Sequence, residues 1–167
     1  MIIVKTERLS IRKITHDDAK NLSSVLADPE VMRYSTVGVH SKEQIYDYIA
    51  NCIKQYDLTG YGHWAIYNCI TDEFVGVCGL NKHKVDSEDV IHINYRLATD
   101  QQGKGYAAES TYGVLDFAKK SLKLNAVHAL IESANISSVK VVNRTGFQFI
   151  KSSVFRGFEI DIYHISL

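Results

Sequence analysis

Residues 100–109 constrain the fold most, because they join a strand pattern to a helix pattern and contain Gly103 and Gly105. Before them, residues 90–97 alternate between apolar and polar side chains, which predicts a half-buried strand. After them, residues 107–120 carry apolar side chains at helical spacing. Glycines at such a junction let several backbone N–H groups converge at the start of a helix, where an anion is favoured. The segment predicts a turn that binds phosphate or pyrophosphate, and a merely tight turn is the alternative.

The same two periodicities divide the rest of the chain, with no linker, repeat or low-complexity run. They predict strands at residues 9–14, 63–68, 74–80, 90–97, 126–131, 147–155 and 159–167. They predict helices at residues 19–26, 41–59, 107–120 and 137–144. Residues 1–167 are therefore expected to form a single α/β (mixed α+β) domain of about seven strands and about four helices.

Composition excludes several classes of protein. Lys plus Arg and Asp plus Glu number 19 each, so no global positive charge indicates nucleic-acid binding. No apolar run approaches the ~20 residues of a membrane span, and residues 1–8 do not resemble a signal peptide, so we expect a cytoplasmic protein. The three cysteines show no C-x-x-C spacing and the seven histidines are scattered, so we expect neither a disulfide framework nor a bound metal.

Two common nucleotide motifs fit the glycine-rich segment poorly. A Walker A loop requires Ser or Thr after its lysine, whereas Gly105 follows Lys104. A dinucleotide fingerprint places its third glycine where this chain has Ala108, and it also requires an early β-α-β unit that is missing here. Alanine is tolerated at that third position, so the missing unit is the stronger objection.

Gln102, Gly105 and Ala107 instead match the Q/R-x-x-G-x-G/A signature of the GNAT superfamily of acetyl-coenzyme A dependent N-acetyltransferases. Residues 6–12, 28–32 and 135–147 are similar to the branch that includes ribosomal-protein N-terminal acetyltransferases of RimJ/RimL type. The resemblance covers essentially the whole chain. It implies a GNAT-like fold, in which the fourth and fifth strands of a mostly antiparallel, twisted sheet splay apart and admit the pantetheine arm of acetyl-CoA.

The resemblance also implies which residues hold the co-substrate. Backbone of the fourth strand pairs with pantetheine, the glycine-rich turn holds the pyrophosphate, and a second motif follows the fifth strand. The implied cofactor-binding residues are Tyr95, Arg96, Leu97, Gln102, Gly103, Lys104, Gly105, Tyr106, Ala107, Asn135 and Ser138.

The resemblance further implies direct transfer of acetyl to a primary amine in a ternary complex, without an acyl-enzyme. His92 stands where many relatives have a glutamate base, and an imidazole is suited to accepting a proton near neutral pH. Glu109 is a second candidate base, and an acid that simply favours the helix start is its alternative. Val142 replaces the tyrosine that protonates the thiolate in many members, so Ser138 is the candidate for that step.

The acceptor is expected to contact variable parts of the chain. The candidate acceptor residues are Tyr34, His63, Trp64, Tyr67, Phe155 and Arg156. A peptide or protein N-terminal α-amino group is the leading acceptor by resemblance, and a small amine such as an amino acid, polyamine or aminoglycoside is the alternative. A coenzyme A-binding module without catalysis is a third possibility. Exposed strand edges near the end of the chain could also support a homodimer.

Overall fold

The computed structural model describes all residues, 1–167, and shows one eight-stranded sheet with four α-helices. The strands are β1 (Ile2–Lys5), β2 (Leu9–Lys13), β3 (His63–Asn68), β4 (Phe74–Val85), β5 (Glu88–Leu97), β6 (Ala126–Ile131), β7 (Gln148–Phe155) and β8 (Phe158–Ser166). The helices are α1 (Ala19–Leu26), α2 (Lys42–Thr59), α3 (Tyr106–Lys120) and α4 (Ile136–Arg144). The prediction of a mixed α/β fold is confirmed.

The strand order across the sheet is β1-β2-β3-β4-β5-β6-β8-β7. Every neighbouring pair is antiparallel except β5 and β6, which are parallel. The predicted strand count was one too low, because β1 was not identified. Residues Ile2–Lys5 contain no alternation, and none of them is fully buried, so this edge strand carries little sequence signal.

Helices cover both faces of the sheet. Helix α3 packs against β1, β2, β4 and β5 on one face, whereas α1 packs against β4 and α2. Helix α2 begins where the capping box predicts, since Ser41 N–H donates to Gln44 Oε1 at 2.7 Å and Gln44 N–H donates to Ser41 Oγ at 3.2 Å. None of the helices has the length and apolar composition that crossing a membrane requires.

The core lies between the sheet and these helices. Trp64 and Ile66 of β3 are fully buried, as are Leu9 and Ile11 of β2. The Trp64 ring meets the edge of Phe117 from α3, with ring centroids 5.6 Å apart. Because successive residues of a strand point to opposite faces, β3 presents Trp64 to α3 and His63 to α2. This alternation decides which side chains can reach the functional site.

Candidate active site

A groove opens where the two parallel strands separate. Strands β5 and β6 pair at a single position, His92 opposite His128. Beyond that position, residues 94–97 of β5 pair with β4 on one side only. The Leu97 carbonyl at the end of this free edge accepts a hydrogen bond from Gln102 Nε2 at 3.2 Å. The resulting groove has a volume of about 1140 Å³ and exposes unpaired strand backbone along one wall.

The glycine-rich turn forms one end of this groove. Gly103 and Gly105 have φ angles of +76° and +80°, which only glycine adopts without strain. The backbone N–H groups of residues 103–108 donate no hydrogen bond within the chain. Helix α3 begins at Tyr106 with no side-chain cap. These N–H groups therefore form a cradle, residues 103–108, at the positive end of a helix dipole, and such a cradle favours a phosphate or pyrophosphate.

The other end of the groove lies between α2, β3–β5 and the β7–β8 hairpin. The loop between α1 and α2 crosses over it, and two hydrogen bonds hold that loop in place. Tyr34 Oη donates to the carbonyl of Ala134 at 3.1 Å, and Arg156 Nη1 donates to Thr36 Oγ1 at 3.2 Å. The groove is thus open at the cradle and partly roofed at its opposite end.

Comparison with known proteins assigns this architecture. A sequence model of the acetyltransferase (GNAT) domain matches residues 8–148. The chain is 33% identical to the uncharacterized N-acetyltransferase p20 of Bacillus licheniformis, over 97% of this chain and 93% of that protein. The chain belongs to the GNAT acetyltransferase family. The family prediction is therefore confirmed, and the protein is an acetyltransferase.

Solved structures of other acetyltransferases share this fold. One is the Salmonella typhimurium enzyme that modifies the N-terminal serine of ribosomal protein L7/L12, with a TM-score of 0.83, 15% identity, and 100% of this chain and 99% of that chain covered. Another is Vibrio cholerae spermidine N-acetyltransferase with CoA and spermine, with a TM-score of 0.79, 15% identity and 96% of each chain covered. At sequence identities this low, the comparison shows only that the folds are similar.

The acetyltransferase brings most of the predicted cofactor residues to the groove. All of them except Lys104 line it. The Lys104 ammonium donates to Gln101 Oε1 at 3.2 Å and lies in a neighbouring depression. Asn135 reaches the groove, but its side chain caps α4 by accepting a hydrogen bond from Ser138 N at 3.3 Å. Tyr95 Oη donates to the carbonyl of Ser138 at 3.0 Å, which ties the splayed strand to α4.

The candidate base His92 is buried in the groove wall, but its Nε2 atom is engaged. Arg156 Nη2 lies 2.8 Å from His83 Nε2, and His83 Nδ1 lies 2.7 Å from His92 Nε2. Because a guanidinium can only donate, His83 accepts at Nε2, carries its proton on Nδ1 and donates to His92. Burial, with help from the nearby His83, lowers the pKa of His92 to about 3. This geometry gives His92 no free lone pair for an incoming proton.

The second candidate, Glu109, lies outside the groove and is committed to other partners. Its Oε1 accepts hydrogen bonds from Thr6 Oγ1 at 2.6 Å and Arg8 N at 2.8 Å. Its Oε2 lies 2.7 Å from both Nε and Nη2 of Arg8. Partial burial opposes ionisation of Glu109, but these hydrogen bonds and the Arg8 charge outweigh it and lower the pKa. A carboxylate held this way is a poor proton acceptor.

Ser138 lies in the groove at the first turn of α4, and its hydroxyl makes no hydrogen bond in the chain. Val142, one turn further along α4, is fully buried in the core. Val142 therefore does not line the groove, whereas Ser138 does.

The candidate acceptor residues separate into two groups. Tyr34, His63, Phe155 and Arg156 line the groove, but Trp64 and Tyr67 do not. Trp64 faces α3 on the opposite side of the sheet. Tyr67 shares the face of His63 but lies under α1, where its hydroxyl donates to Asp18 and receives a hydrogen bond from Asn21. We therefore leave Trp64 and Tyr67 out of the acceptor pocket.

Sequence reasoning did not identify three polar residues at the roofed end, Tyr48, Asn81 and Asn94, which all contact His63. His63 Nδ1 lies 2.6 Å from Tyr48 Oη, and His63 Nε2 lies 2.7 Å from Asn81 Nδ2 and 2.9 Å from Asn94 Nδ2. Asn94 is on the same strand face as His92, two residues further along β5, so strand alternation could have identified it. Tyr48 lies at helical spacing with the apolar residues Ile45, Ile49 and Cys52 of α2, and nothing in that sequence pattern distinguishes a core tyrosine from a groove tyrosine.

Proposed function

We propose that this acetyltransferase moves the acetyl group of acetyl-CoA to a small primary amine by direct attack in a ternary complex. The observation that carries the proposal is the cradle of residues 103–108, whose N–H groups have no partner in the chain and whose residues, except Lys104, line the groove. Acetyl-CoA supplies an acetyl group activated as a thioester. The cradle fits its pyrophosphate, and the free edge of β5 at residues 94–97 fits its amide-containing arm.

The roofed end of the groove supports binding of the amine in its neutral, nucleophilic form. Arg96 and Arg156 line this region, and the acids that line the groove, Glu30 and Glu132, form no ion pair with either of them. A positive environment disfavours an ammonium ion, so it lowers the pKa of the bound amine. The amine can therefore lose its proton to water without a dedicated base.

A small acceptor fits this end better than a protein N-terminus does. The hydrogen bonds from Tyr34 to Ala134 and from Arg156 to Thr36 fasten the α1–α2 loop across the roof. A polypeptide acceptor requires an open channel for the residues that follow its N-terminus, and these bonds must break to make one. In this proposal, backbone N–H groups near Leu97 stabilise the negative charge that develops on the carbonyl oxygen of the acetyl group. The Ser138 hydroxyl, which has no partner in the chain, donates a hydrogen bond to the departing thiolate.

The cradle is tested with a matched pair of variants. Gly103→Asp places a carboxylate beside the proposed pyrophosphate, and Gly60→Asp places one at the end of α2. Both glycines have positive φ, +76° and +79°, so the backbone strain is similar. Calorimetric titration is expected to show acetyl-CoA and CoA binding by wild type, a roughly 10-fold or larger loss in Gly103→Asp, and no change in Gly60→Asp. Equal binding by both variants contradicts the cradle.

Turnover is tested separately, by release of free CoA thiol with a panel of small amines and N-terminal peptides. Selective CoA binding together with thiol release that depends on a small amine supports the proposal. Binding without turnover over the whole panel contradicts it and favours a module that only binds CoA. Preferential turnover of N-terminal peptides contradicts the small acceptor.

A further inference from the structure

The roofed end of the groove carries a cation that the chain itself does not neutralise. Arg96 is half-buried on β5, and its guanidinium forms no hydrogen bond and no ion pair. Arg8 and Arg12, by contrast, each pair with a carboxylate. Even partial desolvation of a guanidinium without a counter-ion is unfavourable, so this arrangement favours a negatively charged partner that comes from outside the chain.

The positive charge of Arg96 acts on the neutral groups around it. Burial, followed by the Arg96 charge, lowers the pKa of His63 to about 3. Burial and Arg96 also lower the pKa of His40, and burial lowers the pKa of Arg96 itself. Tyr48 is the other close neighbour; a phenol is uncharged at neutral pH, and burial raises the pKa of Tyr48 further above its ordinary value. The groups that face Arg96 from α2, β3 and the α1–α2 loop therefore supply no negative charge.

A second unpaired polar group lies beside Arg96. Asn94 Oδ1 is buried and has no hydrogen-bond partner, while Asn94 Nδ2 contacts His63 Nε2 at 2.9 Å. Residues i and i+2 of a strand share one face and lie roughly 7 Å apart along it, so Asn94 and Arg96 point into the same space. A buried acceptor of this kind requires a hydrogen-bond donor, and the N–H group of a bound amine is one. Asn94 Oδ1 can therefore accept a hydrogen bond from a ligand, and the neighbouring Arg96 guanidinium can bind an anion.

We infer that the acceptor amine also carries a carboxylate, as a free amino acid does, with the carboxylate paired to Arg96 and the amine hydrogen-bonded to Asn94 Oδ1. This inference rests on the proposed function, and with Arg96 paired, Arg156 is the cation that still disfavours an ammonium ion in this region. The inference disfavours a polyamine, because Arg96 and Arg156 repel a second positive charge. Neither arginine is neutralised by an acid of the groove, since Glu30 and Glu132 form no ion pair with them. The inference also disfavours a peptide N-terminus without an acidic side chain, since such an acceptor brings no anion to Arg96.

The test compares each of a panel of amino acids with its own amide, which keeps the amine and removes the carboxylate. Thiol release by wild type is expected to show kcat/KM roughly 100-fold higher for the preferred amino acid than for its amide. In Arg96→Gln this ratio is expected to fall below about 5-fold, because the guanidinium is lost while the β5 backbone is kept. Arg96→Lys is expected to retain part of the preference. A ratio that persists in Arg96→Gln overturns the inference.

Thermal unfolding provides a readout that does not depend on activity. Because Arg96 is an uncompensated cation, Arg96→Gln is expected to unfold at the same temperature as wild type or a higher one. A clear fall in Tm shows that Arg96 has a structural partner and overturns the inference. Turnover of amides or polyamines as fast as amino acids overturns this inference alone. CoA binding without turnover of any amine overturns the proposed function as well.

Discussion

Glu109 provides a sharp test of how the groove is built, because the sequence offered it as a base and the structure makes it a positioning residue. Glu109 binds Arg8, and Arg8 Nη1 donates to the Lys104 carbonyl at 2.9 Å, inside the cradle. Glu109→Gln keeps the shape of the side chain but replaces one carboxylate oxygen with an amide group that faces the guanidinium. We expect lower stability and a looser cradle, with the chemical step intact.

The magnitude follows from the contacts that are lost. Two charge-assisted hydrogen bonds at 2.7 Å are removed, and each is worth less than a buried one because the Arg8 side chain is 42% exposed. A total cost of about 1–2 kcal/mol corresponds to a fall in Tm of roughly 3–6 °C for a chain of this size. Asp116→Asn is the matched control on the same helix. Its ion pair with Lys120 is exposed on both sides, so its removal is expected to cost less than about 0.5 kcal/mol.

The assay combines thermal unfolding with steady-state kinetics. For Glu109→Gln we expect the KM for acetyl-CoA to rise roughly 3- to 10-fold, as for loss of one hydrogen bond, with kcat within about threefold of wild type. The pKa of folded Glu109 is lowered, so its contribution to stability is complete above the ordinary value of 4.5 and is lost as the pH falls below it. The wild-type advantage should therefore shrink in acid. A kcat reduced about 100-fold with unchanged Tm refutes this reasoning and restores Glu109 as the base.

Three further predictions follow from the site and the core. Ser138→Ala should lower kcat roughly 10-fold without changing the KM for acetyl-CoA, whereas Ser137→Ala should change neither constant. Equal kinetics for the two variants in the thiol-release assay would count against a hydrogen-bond donor at position 138. Trp64→Phe should lower the free energy of unfolding, measured with denaturant, by roughly 1–3 kcal/mol and leave the KM for the acceptor unchanged, since Trp64 packs in the core. A large change in that KM would place Trp64 in the acceptor pocket. His63 and His92 have pKa values of about 3, so the unfolded chain binds more protons than the folded one below pH 6.5. Stability should fall by about 1.4 kcal/mol per pH unit for each histidine between pH 6 and pH 4 in scanning calorimetry, and a flat profile contradicts their burial in the neutral form.

Sequence periodicity and turn chemistry predict most of this fold, because burial of side chains and the backbone conformation of turns constrain which residues can stand at each position. The helical spacing in α3 reflects one buried face, and the glycines before it reflect a positive-φ turn. The alternation in β5 identifies the strand, although Val90 and His92 on one face are buried as well as Ile93 and Leu97 on the other. Strand β1 escaped prediction because an edge strand that is only half-buried needs no alternation. Its position is set by pairing with β2, which is a tertiary contact.

The functional site was less accessible to prediction, because it depends on which face each residue occupies and on what lies opposite. His63 and Trp64 are adjacent, yet one faces α2 and the other faces α3, so listing both as acceptor residues ignored the strand period. The partners of Glu109 are Thr6 and Arg8, about a hundred residues away in the chain, and no local pattern encodes them. The unpaired state of Arg96 emerges only when every neighbouring group is known.

The most direct test of the central claim is hydrogen exchange of the backbone amides at residues 103–108, measured in the free protein and with saturating CoA. The amides of the cradle have no partner in the chain, so they should exchange rapidly in the free protein. CoA should slow their exchange about 10-fold or more, together with that of residues 94–97 on the free edge of β5, while β1 is unaffected. Saturation with CoA that leaves residues 103–108 unprotected and protects another segment contradicts the claim.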